Sequence, residues 1–194
     1  MQARVKKLGH VAIAVRDLDR SLDFYTRLVG MRLTERFEYP PGDVGHGVGV
    51  TAGAFVRCDA THHALAIFQP KEAPPAPGAP DGAHVAVGLH HLAFELSTPE
   101  ELLAKLRELR SAGVAIVNCR VGGPGSQPRF YACDPDGHLV EFYWGIDEIG
   151  WDGVPRAYEP IREIDLEAFD FDGFVAAREE AAARLQAVAA DAER

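Results

Sequence analysis

The sequence predicts an α+β fold built from two tandem βαβββ modules and a helical tail. Three observations carry the prediction. Residues 55–68 lie over residues 130–143 without a gap, with Phe55/Phe130, Cys58/Cys133, Asp59/Asp134 and His63/His138 in register. An earlier pair agrees, because Gly9-His10-Val11-Ala12-Ile13-Ala14-Val15 matches His90-His91-Leu92-Ala93-Phe94-Glu95-Leu96. Between these pairs each half shows the same order of strand and helix signals, which marks an internal duplication.

The elements follow from local pattern. His10 to Val15 is a short apolar strand. Asp17 is a candidate N-cap, Leu18, Leu22, Tyr25 and Leu28 or Val29 keep a helical period, and Gly30 ends the run. Met31 to Phe37 alternates as a strand, residues 39–49 form a glycine-rich loop, and residues 55–58 and 63–68 make a hairpin. A Pro/Ala/Gly linker spans 70–87. The second module repeats the order with a strand over 90–96 and a helix opened by Thr98 and Pro99. Leu102, Leu103, Leu106 and Leu109 give that helix its apolar face, Gly113 ends it, and strands follow over 114–118, 129–133 and 139–143. The organisation expected is one domain over 1–146, with module one at 8–70 and module two at 88–146. An irregular segment and a helical tail follow over 147–194. The tail carries an apolar stripe of Phe169, Phe174, Leu185 and Val188, as expected of a helix docked on the domain or on a second subunit.

Composition excludes several classes. A chain of 194 residues with net charge −9 has no electrostatic footprint for nucleic acid. No run approaches the roughly 20 apolar residues of a membrane span, and the N-terminus lacks a secretory pattern. Three cysteines without metal-type spacing read as reduced. A cytoplasmic protein is expected.

Alternation then selects candidate site residues. Val11, Ile13 and Val15 share the packed face of the first strand, leaving His10, Ala12 and Ala14 on the other. Leu92, Phe94 and Leu96 pack in the second copy, which leaves His91, Ala93 and Glu95. In the last strand Val140 and Phe142 pack, and Glu141 does not. His10 and His91 occupy the same slot of the repeat, whereas Glu141 replaces Ala66. A carboxylate beside an apolar strand needs a partner or a cation. Two imidazoles and one carboxylate form the ligand set of non-haem Fe(II) oxygenases, with Zn(II) and Mn(II) chemically open.

At these residues the chain resembles the vicinal oxygen chelate superfamily, and most closely its type I extradiol ring-cleaving dioxygenases. The likeness covers roughly residues 8–146. It rests on Leu8-Gly9-His10-Val11 with the helix after it, on His62-His63-Ala64-Leu65-Ala66, and on Phe130-Tyr131 through Asp134-Pro135-Asp136-Gly137 to Val140-Glu141-Phe142-Tyr143-Trp144-Gly145. The resemblance implies a paired half-barrel around a metal cavity, with Fe(II) (or Mn(II)) held by His10, His91 and Glu141. It implies a catechol-like substrate, O₂ as co-substrate, and a homo-oligomer. The family's active-site tyrosine falls on Tyr131. Its acid–base histidine belongs to the fourth strand of the first module, where parity counted back from Ala66 points to His62. Many family members carry a further cavity histidine about nine residues before the tyrosine, and residues 121–126 hold none. Many are two-domain proteins, and this chain resembles their metal-bearing half. Two other readings exist within the fold. Glyoxalase- or epimerase-type lyases and isomerases need a ligand or base where Ala66 stands. Non-catalytic resistance-type binders usually lack the triad.

Overall fold

Asp17 opens the first helix as its side chain predicts. Its backbone is extended (φ −136°, ψ 109°) and its carboxylate accepts the Arg20 N–H at 3.0 Å. The computed structural model describes residues 6–38, 49–72, 89–148 and 158–180. The loop at 39–48, most of the linker at 73–88, and residues 149–157 and 181–194 lie outside them.

The first module contains β1 (Val11–Ala14), α1 (Leu18–Asp23), β2 (Arg32–Glu38), β3 (Val50–Arg57) and β4 (Leu65–Pro70). After α1 the chain continues through a wider helical turn, Phe24–Leu28, in which Val29 N–H reaches back five residues to the Phe24 carbonyl at 2.9 Å. The strands order as β1-β4-β3-β2. β1 runs parallel to β4, with Val11 opposite Leu65 and Ala12 opposite Ala66. Both hairpin pairings are antiparallel, and each is bulged once.

The second module contains β5 (Leu92–Glu95), α2 (Pro99–Ser111), β6 (Ile116–Val121), β7 (Arg129–Cys133) and β8 (Leu139–Tyr143). Thr98 caps α2 by accepting the Glu101 N–H at 3.2 Å, and Glu101 reaches back to the Ser97 N–H at 2.9 Å. A two-residue strand, β9 (Arg162–Glu163), extends this sheet to the order β5-β8-β7-β6-β9. The two βαβββ modules of the sequence are therefore present, each with its own sheet.

The fold resolves into two compact units. One comprises residues 1–92, 108–115 and 132–140, and the other residues 93–107, 116–131 and 141–194. The first packs around Ile13, Val15, Leu18, Leu22, Tyr25, Val56, Leu65 and Ile67, each at most 8% exposed. The second packs around Leu102, Leu106, Val121, Phe130, Phe142 and Leu166. There the Phe142 ring lies between Phe130 and Phe94, at 5.1 and 5.9 Å. Alternation is visible directly: Ile13 and Val15 are buried, while Ala12 and Ala14 are exposed.

Several boundaries differ from expectation. β3 begins at Val50 rather than Phe55, because the Thr- and Gly-containing stretch before Phe55 pairs with β2 and β4. β4 begins at Leu65, so His62 and His63 stand in the bend before it. The segment expected to be irregular over 145–162 runs at its end into β9, which pairs with β6. The helical tail does not open directly as an α-helix. A short 3₁₀ turn, Leu166–Ala168, comes first, and α3 covers residues 171–180. The tail's described part packs within the second unit. Phe171 and Phe174 pack on Trp144 at 6.1 and 6.5 Å. Arg178 donates to the Gly145 carbonyl and to Asp147. Leu185 and Val188 lie outside the described residues. No helix among the described residues is long and apolar enough to cross a membrane.

Candidate metal and catalytic site

Strand register places small and aromatic residues on one face of the first sheet. Ala12 pairs with Ala66 and Ala14 with Phe68. Ala66 pairs in turn with Phe55, Phe68 with Gly53, and Gly53 with Phe37. Phe37, Phe55 and Phe68 gather with centroids 5.1–6.2 Å apart. Gly53 makes this possible: a Cβ there would lie 2.5 Å from the Phe37 ring and 2.9 Å from the Phe68 ring.

His62 and His63 sit against this face, with His10 beside them. The His63 ring stacks on Phe55 (4.4 Å, 30°) and lies 4.4 Å from the His10 ring. Burial first, then the neighbouring His10 and His62, hold His63 below the ordinary imidazole range. His62 meets the edge of Phe55 at 5.6 Å, and its Nδ1 lies 2.9 Å from His63 Nδ1. Its Nε2 faces Glu35 at 3.5 Å, with the side chain 58% exposed. The imidazole beside His10 is therefore His63. Strand parity had pointed to His62, but parity does not extend past Leu65 into a bend. His91 is half-buried, with Nδ1 2.6 Å from His90 Nδ1.

The second unit positions Glu141, which is only 4% exposed. Tyr131 on β7 donates its hydroxyl to Glu141 Oε2 at 2.8 Å. Gln127 Nε2 approaches Oε1 at 3.5 Å, and Arg129 Nε stands 3.8 Å from the same oxygen. Burial, reinforced by the Glu141 hydrogen bond and charge, pushes the Tyr131 phenol up to about 12. Gln127 Oε1 is buried without a hydrogen-bond partner among the described residues. The sequence reading did not single out His63, Gln127 or Arg129. Arg129 was within reach of the same logic, since it precedes Tyr131 by two residues on one strand and shares its face.

The Asp-Pro-Asp-Gly turn has a structural task. Asp134 accepts the Tyr25 hydroxyl at 2.9 Å, pairs with His138 Nδ1 at 2.9 Å, and accepts the Asp136 and His138 N–H groups at 2.9 and 2.8 Å. Asp136 accepts from Arg16 and Ser21. The turn is thereby clamped to α1. Burial alone would raise the Asp134 carboxyl, but the hydrogen bonds from His138 and Tyr25 and the His138 charge outweigh it and hold it low. Asp134 in turn raises His138.

Each predicted ligand is engaged with a neighbour: His10 with His63, His91 with His90, and Glu141 with Tyr131. Among the described residues no three His, Cys, Asp or Glu side chains are gathered around one point as a ready metal site. The donor chemistry nevertheless fits a divalent ion. Glu141 is a buried carboxylate with the Arg129 guanidinium 3.8 Å away, and His10 is an exposed imidazole beside the His63 ring.

Two βαβββ modules, each with its own sheet, define the fold. The sequence model of the Glyoxalase/Bleomycin resistance protein/Dioxygenase superfamily matches residues 7–142, and the chain belongs to that superfamily. It is 25% identical over 142 residues to 3-methylcatechol 2,3-dioxygenase of Pseudomonas putida, covering 73% of this chain and 43% of that one. It is 29% identical over 136 residues to biphenyl-2,3-diol 1,2-dioxygenase 3 of Rhodococcus globerulus, covering 70% and 61%. The chain thus spans about half the length of these relatives. Among solved structures, a glyoxalase family protein from Enterococcus faecalis superposes with a TM-score of 0.53 at 25% identity, over 71% of this chain and 97% of that one. A fosfomycin resistance protein from Listeria monocytogenes superposes with 0.50 at 17% identity, over 73% and 95%, and shares the fold.

Proposed function

We propose that the chain is an extradiol-type dioxygenase that opens a catecholic ring with O₂, using a non-haem Fe(II) ion held by His10, His91 and Glu141. The observation that carries the reading is Glu141, a carboxylate only 4% exposed, in the slot that the first module fills with Ala66. Ring-cleaving relatives at 25–29% identity support it further.

When bound, the ion supplies a Lewis acid that favours the deprotonated form of a coordinated phenol, and a redox centre for O₂. The protein's own groups divide the remaining work. The His62–His63 pair accepts a substrate proton and returns it, with His63 the ring beside His10 and His62 behind it. Tyr131 donates its hydroxyl to Glu141 Oε2, and would turn that donor to a developing negative oxygen once the carboxylate is taken up by the ion. Ala12 and Ala14 are small and exposed on the sheet face, and Phe55 with its neighbours gives apolar contact to an aromatic ring. A glyoxalase-type lyase reading lacks its base or ligand, because position 66 holds a methyl group.

The test is anaerobic loading with Fe(II), or Mn(II) in parallel, followed by a panel of substituted catechols in air. The reading predicts a yellow ring-opened product and oxygen uptake in equal molar amounts. A fully loaded protein that consumes no oxygen with any member of the panel would contradict it.

A further inference from the structure

Arg129 is buried to 6% exposure next to Glu141, yet it does not depend on Glu141 for its position. Its Nη1 donates to two backbone carbonyls, Gly122 at 2.9 Å and Gln127 at 3.0 Å. The Gly122 carbonyl is itself fixed. Gly122 has φ +91°, and a Cβ there would lie 2.4 Å from the Pro160 carbonyl oxygen, so only glycine allows residues 158–164 to cross this turn. The crossing is closed by Gly123 N–H to the Glu159 carbonyl at 2.8 Å. The guanidinium is thus held by backbone rather than by a carboxylate.

Its Nε donates to the Tyr131 hydroxyl oxygen at 3.1 Å. A guanidinium can only donate, and a phenol has one proton. With its oxygen engaged as acceptor by Arg129, Tyr131 must send that proton the other way, and it does so toward Glu141 at 2.8 Å. Arginine also stays charged at all working pH values. Inside a site of low effective dielectric, a fixed positive charge 3.8 Å from the carboxylate favours anionic ligands over neutral ones.

We infer that Arg129 is the positioning residue of this site: it fixes Tyr131 as an obligate hydrogen-bond donor and adds a permanent positive charge that selects an anionic, doubly oxygenated ligand such as a catecholate. The inference rests on the reading of Glu141 and Tyr131 as site residues.

A double-mutant cycle tests it, with 4-nitrocatechol bound anaerobically to the Fe(II)-loaded protein and followed by its visible band. Thermal melts establish that each variant is folded. Tyr131→Phe alone should weaken binding about tenfold, Arg129→Met about tenfold or more, and Tyr131→Phe in the Arg129→Met background less than about twofold further, because the two act as one unit. The bound band should shift toward the less ionised form in Arg129→Met and return in Arg129→Lys, which keeps the charge. Should Arg129→Met fail to fold, Arg129→Gln, which removes the charge but keeps an amide donor, takes its place in the cycle with Tyr131→Phe, with coupling again expected. Additive effects, or an unmoved band with unchanged affinity in a folded Arg129 variant, overturn the inference and leave the iron reading intact. Failure of the wild-type protein to take up iron, measured separately by anaerobic calorimetry, overturns both.

Discussion

Tyr131 and Glu141 face each other across adjacent strands, with the phenol donating to the carboxylate at 2.8 Å. The contact links a group suited to hydrogen-bond a reacting oxygen with one suited to hold a cation. Both are products of strand alternation: each follows or precedes a fully packed neighbour, Phe130 and Phe142, and so faces away from the core. The duplication then explains why only one carboxylate is present, since its counterpart in the first module is Ala66.

Tyr131→Phe should leave iron bound and lower turnover by about 10²-fold, the order seen when one oxyanion donor is removed. Steady-state oxygen uptake and iron content checked together distinguish this from loss of the metal.

Replacing the paired histidines separates their roles. His63→Gln should reduce turnover by about 10²–10⁴-fold, the usual range for a lost acid–base group, with iron retained. His62→Gln should retain iron and reduce turnover less, since its ring stands beyond His63 and is 58% exposed. Wild-type turnover in both variants removes the pair from the mechanism.

The clamp at Asp134 predicts a pH-dependent stability. His138 is raised by its bond to Asp134, so its contribution is complete below the unfolded value of about 6.5 and fades as pH climbs through the raised folded value. Asp134 is lowered, so its contribution is present above about 3.9 and is lost as pH falls through the depressed folded value. His138→Asn should therefore lower stability by about 2 kcal/mol near pH 6, and the gap to wild type should narrow toward pH 9. Urea melts at the two pH values check this.

Gly53→Ala brings a methyl group into the Phe37 and Phe68 rings. Overpacking of this kind costs about 1–3 kcal/mol. A thermal melt should show the loss, and a second change, Phe37→Leu, should recover part of it.

Much of this was legible in the residues. The repeat revealed two βαβββ modules, and apolar spacing in α2 identified Leu102, Leu106 and Leu109 as core. Alternation in β1 correctly separated Ile13 and Val15 from Ala12 and Ala14. It does not extend to His62 and His63, because alternation is a property of paired strand, and β4 starts only at Leu65. The early start of β3 was hidden by Thr51 and Gly53, residues that read as loop until sheet pairing and the phenylalanine cluster hold them extended. β9 is two residues long and exposed, and its pairing with Arg120 and Val121 depends on a crossing over Gly122 that no local pattern announces. Arg129 was missed because arginine is ordinarily exposed. Its burial follows from two backbone carbonyls supplied by the turn before it.

The central claim is that one divalent ion is held jointly by His10, His91 and Glu141. Anaerobic calorimetry with Fe(II) on the wild-type protein and on His10→Ala, His91→Ala and Glu141→Ala tests it most directly. The expected result is one ion per chain in wild type and at least about 100-fold weaker binding in every folded variant, beyond the 10–100-fold that loss of a mere outer-shell partner brings. Wild-type affinity in any one of the three would contradict it.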